Sequence, residues 1–116
     1  MAIATFRDIV IDCGDPVTLA PFWSGVLGFP VGAQDDDQVR LDSPDRAFRI
    51  WLVRVPEPKT VKNRVHIDVN LAAGMGLEQL EQLGAKVLHP FGWHPDIPWA
   101  VLADPEGNEF CAFPAP

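Results

Sequence analysis

The chain has 116 residues, of which 47% are hydrophobic and 22% are charged, and its formal net charge is −7. Such a composition is typical of one globular domain that can form a true core. The acidic balance argues against binding to nucleic acid, and no apolar run approaches the roughly 20 residues of a membrane helix. The first residues, MAIATFRDIV, also lack the features of a signal peptide. We therefore expect a cytoplasmic protein that binds neither nucleic acid nor membranes.

The two cysteines, Cys13 and Cys111, would allow one disulfide. In a cytoplasmic protein two reduced thiols are the more common state. The sequence has no CxxC pattern and no Cys/His cluster of the zinc-finger type.

Two short patterns occur twice, each time 56 residues apart. VID at 10–12 is matched by HID at 66–68, and LGFPV at 27–31 is matched by LGAKV at 83–87. Each copy is predicted to form a strand, a helix and then further strands, and a connector rich in proline and lysine separates the copies. We therefore predict an α+β fold with two tandem modules in one domain, at about 5–55 and 63–114.

In the first module, the strand TFRDIVID precedes a predicted helix. Asp15 is expected to cap this helix, with Pro16 in its first turn and Gly28 at its end. Pro21 lies inside the helix and is expected to kink or shorten it. Two strands flanking the acidic turn QDDDQ are then predicted to form a hairpin.

The next predicted strand, AFRIWLVRV, runs from 47 to 55 and has two different faces. Phe48, Ile50 and Leu52 are expected to pack in the core. The opposite face carries Arg49, Trp51 and Val53, where Trp51 is suited to stacking on a ligand and Arg49 to binding an anion. Solvation of Arg49 at the sheet edge remains an alternative.

In the second module, the strand RVHIDVN carries His66 on its polar face. The helix that follows is predicted to turn Leu77, Leu80 and Leu83 inward and to end at Gly84. A last hairpin forms around the turn DPEG. Its strands carry Trp99, which faces either the core or a pocket depending on register, and Cys111, which is either a buried apolar side chain or a nucleophile.

Three segments, VIDCGDPVTLAPFWSGVLGF, KNRVHIDVN and DPEGNEFCAF, together resemble the vicinal oxygen chelate superfamily, and in particular its bacterial glyoxalase-like group. Glyoxalase I, extradiol dioxygenases and bleomycin-resistance proteins belong to that superfamily. The resemblance extends from about residue 6 to residue 113. It implies paired βαβββ modules with cupped sheets around a central pocket, and a homodimer.

Metal-dependent members of the superfamily hold the ion with four side chains from the first and last strands of the modules. The resemblance assigns these positions to Asp8, Val53, His66 and Cys111. Valine offers no electron pair to a metal, and Cys111 stands where metal enzymes usually have glutamate. We therefore expect no cofactor, while a divalent metal held by Asp8 and His66, with or without Cys111, is the alternative.

The leading hypothesis is that the protein binds a small aromatic or amphipathic molecule in the pocket between the modules, without a metal. The residues predicted to line the pocket are Asp8, Arg49, Trp51, Val53, His66, Trp99 and Cys111. The alternative is a metal-dependent lyase, isomerase or dioxygenase, so the sequence leaves open whether the protein is an enzyme. A third hypothesis is a pocket filled by its own side chains in a protein that acts only by pairing.

Overall fold

A computed structural model describes residues 1–115 and divides into two compact units, which meet in sequence between Pro58 and Lys59. Each unit contains one helix and one four-stranded mixed sheet, in the order βαβββ. The predicted α+β class and the two βαβββ modules are thereby confirmed. No helix in the described part of the chain is both long enough and apolar enough to span a membrane.

The first unit contains a sheet in the spatial order β1-β4-β3-β2. Strand β1 is parallel to β4, whereas β4, β3 and β2 are antiparallel neighbours. The elements are β1 Ile9–Cys13, α1 Pro16–Leu27, β2 Val31–Gln34, β3 Gln38–Asp42 and β4 Arg49–Arg54.

Helix α1 begins and ends where the sequence predicts. The carboxylate of Asp15 accepts hydrogen bonds from the backbone N–H and the hydroxyl of Thr18, and Gly28 ends the helix with a left-handed φ of 68°. The expectation that Pro21 shortens the helix is wrong, because α1 continues through it. Pro21 and Val17 are exposed, so water can solvate the Val17 carbonyl that lacks its helical N–H partner.

The core of the first unit forms where α1 packs on β3 and β4. Leu19 and Trp23 of the helix are buried. They lie with the buried strand residues Val39, Leu41, Ile50 and Leu52. Phe48, which was predicted to belong to this core, is instead 54% exposed, because β4 begins one residue after it.

The second unit repeats this topology with the strand order β5-β8-β7-β6. Its elements are β5 Asp68–Asn70, α2 Leu77–Leu83, β6 Lys86–His89, β7 Ala100–Ala103 and β8 Glu109–Phe113. Strand β5 is much shorter than predicted, and His66 lies two residues before it. Of the three leucines predicted to face inward from α2, Leu80 is buried, but Leu83 is 45% exposed at the last position of a short helix.

The connector that opens the second unit is fixed to strand β8 by one carboxylate. Glu109 accepts a hydrogen bond of 2.9 Å from the backbone N–H of Asn63 and lies 3.0 Å from the ammonium of Lys59. The hydrogen bond from Asn63, opposed by burial and reinforced by Lys59, lowers the pKa of Glu109 to about 2. This side chain therefore stays ionised and holds the connector in place at neutral pH.

Candidate functional site

A three-residue network lies at one end of the first sheet and joins β1 to β4. Strand β1 pairs in parallel with β4, with Ile9 opposite Ile50, so Asp8 comes to lie beside Arg49. Arg49 Nε donates to Asp8 Oδ1 at 2.8 Å, and the indole N–H of Trp51 donates to Asp8 Oδ2 at 2.9 Å. Asp8 thus fixes the orientation of both neighbouring side chains.

The environment of Asp8 keeps it ionised. Its side chain is only 7% exposed, and burial alone would raise the pKa. The hydrogen bonds from Trp51 and Arg49, with the positive charges of Arg49 and Arg7, outweigh this effect and hold the pKa of Asp8 below its usual value. One carboxylate oxygen therefore accepts a charge-assisted hydrogen bond from Arg49, and the other accepts a hydrogen bond from the indole N–H of Trp51.

Strand β3 adds a second ion pair on the same face of the sheet. In the antiparallel register, Arg40 lies opposite Trp51 and Asp42 lies opposite Arg49. The Arg40 guanidinium donates to both oxygens of Asp42, at 2.8 and 3.1 Å, and lies 5.7 Å from the centre of the Trp51 ring. This geometry is suited to a cation–π contact, so Trp51 is fixed both at its N–H and at its ring.

Glycine at position 32 makes room for this ion pair. A Cβ atom at Gly32 would lie 1.9 Å from Asp42 Oδ2 and 2.7 Å from Arg40 Nη2. Any side chain there would displace the ends of both residues.

The alternate residues of β3 and β4 face α1. We call the opposite face of the first sheet its open face; it carries Arg40, Asp42, Arg49, Trp51 and Val53.

A cleft adjoins the open face and has a volume of about 640 Å³, within the roughly 300–1,000 Å³ that is typical of ligand pockets. We call it the arginine cleft. Its lining includes Phe6, Arg7, Arg40, Asp42, Arg46 and Arg49. Four of the six arginines in the chain therefore surround one cavity.

The second unit brings together a different set of side chains. One potential ligand atom from each of His66, Asp68 and Cys111 lies within 4.8 Å of the others. His66 Nδ1 is 2.9 Å from Asp68 Oδ1, and Asp68 lies opposite Cys111 in the pairing of β5 with β8. Burial, aided by Asp68 and opposed by Lys62, raises the pKa of the Cys111 thiol. The cysteine is therefore protonated at neutral pH and is a poor nucleophile.

Trp99 and Val53 have simpler surroundings. Trp99 lies just before β7, and its ring is tilted against Phe113 with 5.5 Å between the centroids. Its carbonyl accepts a hydrogen bond of 2.9 Å from the indole N–H of Trp93. Val53 is half-buried on β4, opposite Asp12 of β1. Neither residue contributes a metal ligand.

The four ligand positions implied by the family resemblance do not fit a complete metal site. In the first unit, Asp8 already accepts hydrogen bonds at both oxygens, and Val53 has no donor atom. In the second unit, His66, Asp68 and Cys111 provide nitrogen, oxygen and sulfur, a donor set suited to zinc-like ions. The sequence prediction included two of these three residues and missed Asp68.

Comparison with known proteins agrees with the two βαβββ units. Residues 8–113 match the model of the glyoxalase-like domain. The chain belongs to this family. The resemblance to the vicinal oxygen chelate superfamily is therefore confirmed. Comparison with curated proteins gives no match.

Solved structures of this glyoxalase-like type share the fold at low sequence identity. A glyoxalase-related enzyme from Fulvimarina pelagi is 17% identical, with a TM-score of 0.68 and coverage of 97% of this chain and 90% of that one. A glyoxalase/bleomycin resistance protein from Albidiferax ferrireducens is 22% identical, with a TM-score of 0.63 and coverage of 97% and 100%.

The fosfomycin resistance protein FosX from Listeria monocytogenes, as an E126Q mutant with Mn(II) and a dihydroxypropylphosphonic acid, is 12% identical. Its TM-score is 0.74, and the match covers 99% of this chain and 93% of that one. At these identities, the likeness to all three structures shows the fold alone.

Proposed function

We propose that this glyoxalase-like protein binds a small aromatic or amphipathic molecule on the open face of its first sheet, without a metal ion. The network of Asp8, Arg49 and Trp51 is the observation that carries this proposal. Holding an indole and a guanidinium in fixed positions reduces the entropy lost when a ligand binds. The half-buried Trp51 offers a ring for stacking, and Arg49 has N–H groups beyond the one that Asp8 accepts.

The state of Asp8 supports a metal-free site. Both of its oxygens accept short hydrogen bonds, and the Arg49 and Arg7 guanidinium groups beside it would repel the positive charge of an ion. Val53 stands at another position where metal-binding relatives carry a ligand. Binding alone would suffice for sequestration of a toxic compound. The residues of the second unit predicted for the same role, His66, Trp99 and Cys111, remain predictions, as do the cytoplasmic location and the homodimer.

Tryptophan fluorescence and thermal-shift screening of aromatic compounds on untagged, EDTA-dialysed protein test this proposal. We expect compounds that raise the melting temperature also to quench fluorescence, and Trp51→Phe to retain most of their affinity because it keeps an aromatic ring. Trp51→Ala should lose the affinity. Equal binding to wild type and Trp51→Ala would contradict the proposal.

A second candidate is a metal-dependent lyase, isomerase or dioxygenase, and the cluster of His66, Asp68 and Cys111 favours it. This function predicts about one equivalent of a divalent metal in untagged protein, measured by elemental analysis, and loss of that metal in His66→Ala. Asp96→Ala, which changes an exposed acidic residue of the same unit outside this cluster, is the control. Metal-free protein that takes up no zinc or manganese would exclude this candidate.

A further inference from the structure

The arginine cleft is positively charged in a protein whose net charge is −7. Arg7, Arg40, Arg46 and Arg49 contribute four positive charges. Asp42 offsets one of them through its ion pair with Arg40, and Asp8 offsets a second through Arg49. Local attraction for an anion therefore exists despite the acidic surface elsewhere.

Arg46 differs from the other three arginines. Within residues 1–115 it has no carboxylate within ion-pair distance, whereas Arg7, Arg40 and Arg49 each have one. It is exposed, and its φ is 60°, an uncommon conformation for a residue other than glycine. Backbone conformations of this kind are found preferentially at ligand-binding sites.

The turn that carries Arg46 is held by its own polar groups. The buried Ser43 donates its hydroxyl to Asp45 at 2.7 Å and accepts the N–H of Phe48 at 2.9 Å. Asp45 also accepts the N–H of Ala47, and these hydrogen bonds lower its pKa. The Asp45 carboxylate thus stays ionised and is held within the turn by neutral donors, and these contacts fix the position of the Arg46 backbone at the cleft.

The residual charge and the chemistry of the lining indicate which ligand group the cleft would accept. A carboxylate brings one negative charge and two oxygens, which a single guanidinium can satisfy. A phosphate monoester brings close to two charges and three terminal oxygens, which several guanidinium groups can bind at once. The volume of the cleft suits a small molecule.

We propose that the arginine cleft binds the phosphate group, or an equivalent doubly charged oxyanion, of a small molecule whose aromatic part contacts Trp51. This inference rests on the proposed function for the aromatic part of the ligand, whereas the anion site stands on the four arginines. Arg46 provides a positive charge without a carboxylate partner, and Arg7 adds a second, because it shares the single charge of Asp8 with Arg49. The ion pair between Arg40 and Asp42 and the network around Asp8 keep the remaining guanidinium groups in place.

Isothermal titration calorimetry with three probes tests the inference: phenyl phosphate, inorganic phosphate and benzyl alcohol, in low-salt chloride buffer. We expect phenyl phosphate to bind most tightly and added sodium chloride to weaken it. Arg46→Gln should weaken phenyl phosphate about fivefold, as expected for an exposed charge, without weakening benzyl alcohol. Lys86→Gln, which removes an exposed charge from the second unit, should change neither.

The outcomes separate this inference from the proposed function. If benzyl alcohol binds as tightly as phenyl phosphate, or if Arg46→Gln behaves like Lys86→Gln, the phosphate site is contradicted and aromatic binding stands. If inorganic phosphate binds as tightly as phenyl phosphate and benzyl alcohol does not bind, the cleft is supported and aromatic binding is contradicted. Absence of binding by all three probes contradicts both.

Discussion

The two sheets have the same strand order but carry different chemistry on corresponding strands. On β4 of the first unit, the residues that alternate with the core are Arg49, Trp51 and Val53. Arg49 and Trp51 are joined to Asp8 by an ion pair and an indole hydrogen bond. On β8 of the second unit, the corresponding face carries Glu109, Cys111 and Phe113.

The charged groups of these two faces have different uses. Asp8 orients side chains toward a cleft, whereas Glu109 fixes a connector to its strand. The topology of the module therefore does not determine its function, which depends on the residues at the alternating positions.

The largest expected effect concerns the carboxylate that stabilises the second unit. Glu109→Ala removes the acceptor for the Asn63 N–H and the partner of Lys59, and should lower the free energy of unfolding by about 1–3 kcal/mol. Glu109→Gln keeps an acceptor and should lose less. Denaturant unfolding measures both, and ligand affinity should be unchanged in either variant. No change in the unfolding free energy of Glu109→Ala would contradict this role.

The lowered pKa of Glu109 determines the pH range in which its contribution to the free energy of unfolding is lost on acidification. Because the folded pKa is about 2, below the ordinary value of 4.5, the contribution is complete above pH 4.5 and is lost as the pH falls toward 2. Wild type should therefore be more stable than Glu109→Gln at pH 6, and the two should converge near pH 2.

The second effect concerns the aromatic ring of the open face. Trp51→Ala removes both the ring and the indole donor, and should weaken binding of phenyl phosphate at least about tenfold. Trp99→Ala makes the same change in the second unit, where the ring packs on Phe113, and should change affinity much less. Calorimetry on the two variants measures the difference. Larger loss in Trp99→Ala would reverse the assignment of the binding face.

A smaller effect is expected at Gly32. In Gly32→Ala the new Cβ displaces the ends of Arg40 and Asp42, which are flexible side chains, so the fold should survive with its melting temperature lowered by only a few degrees. Affinity for phenyl phosphate should fall a few-fold, because Arg40 is no longer held against the Trp51 ring. Unchanged affinity would show that the ion pair does not position the site.

The smallest effect concerns Cys111. Burial raises the pKa of its thiol, so reaction with a disulfide reagent at pH 8 should be much slower than that of a small exposed thiol. Unfolding in guanidinium should make both cysteines react fast. Rapid reaction of Cys111 in the folded protein would indicate an accessible thiolate and would give the second unit a chemistry that we do not assign to it.

Much of the fold can be predicted from local sequence signals. Asp15 and Gly28 fix the ends of α1 through a side-chain cap and a left-handed residue, and alternation along β4 correctly separates Ile50 and Leu52 from Trp51. The start of β5 could not be predicted from such local signals. Polar and apolar residues alternate through His66 just as they do within β5, although His66 lies before the residues that pair with β8.

The candidate site depends on contacts between strands, and these are harder to predict. Arg40 and Asp42 alternate with buried residues in the sequence, but only the register of β3 with β4 places them beside Trp51 and Arg49. Arg46 lines the cleft because its own backbone adopts a left-handed conformation. The turn sequence SPDR does not indicate that Arg46 would adopt it. Asp8 was predicted as a pocket residue, but its role in orienting Trp51 follows from a hydrogen bond.

Indole ¹⁵N–¹H NMR spectra of EDTA-dialysed protein test the central claim most directly. The chain has four tryptophans, so phenyl phosphate can be followed at four indole signals, assigned by substitution of each residue. We predict that the Trp51 signal shifts most, that the buried Trp23 changes little, and that added zinc leaves the response unaltered. A ligand response that requires the metal, or one confined to Trp93 and Trp99, would contradict a metal-free binding surface on the first sheet.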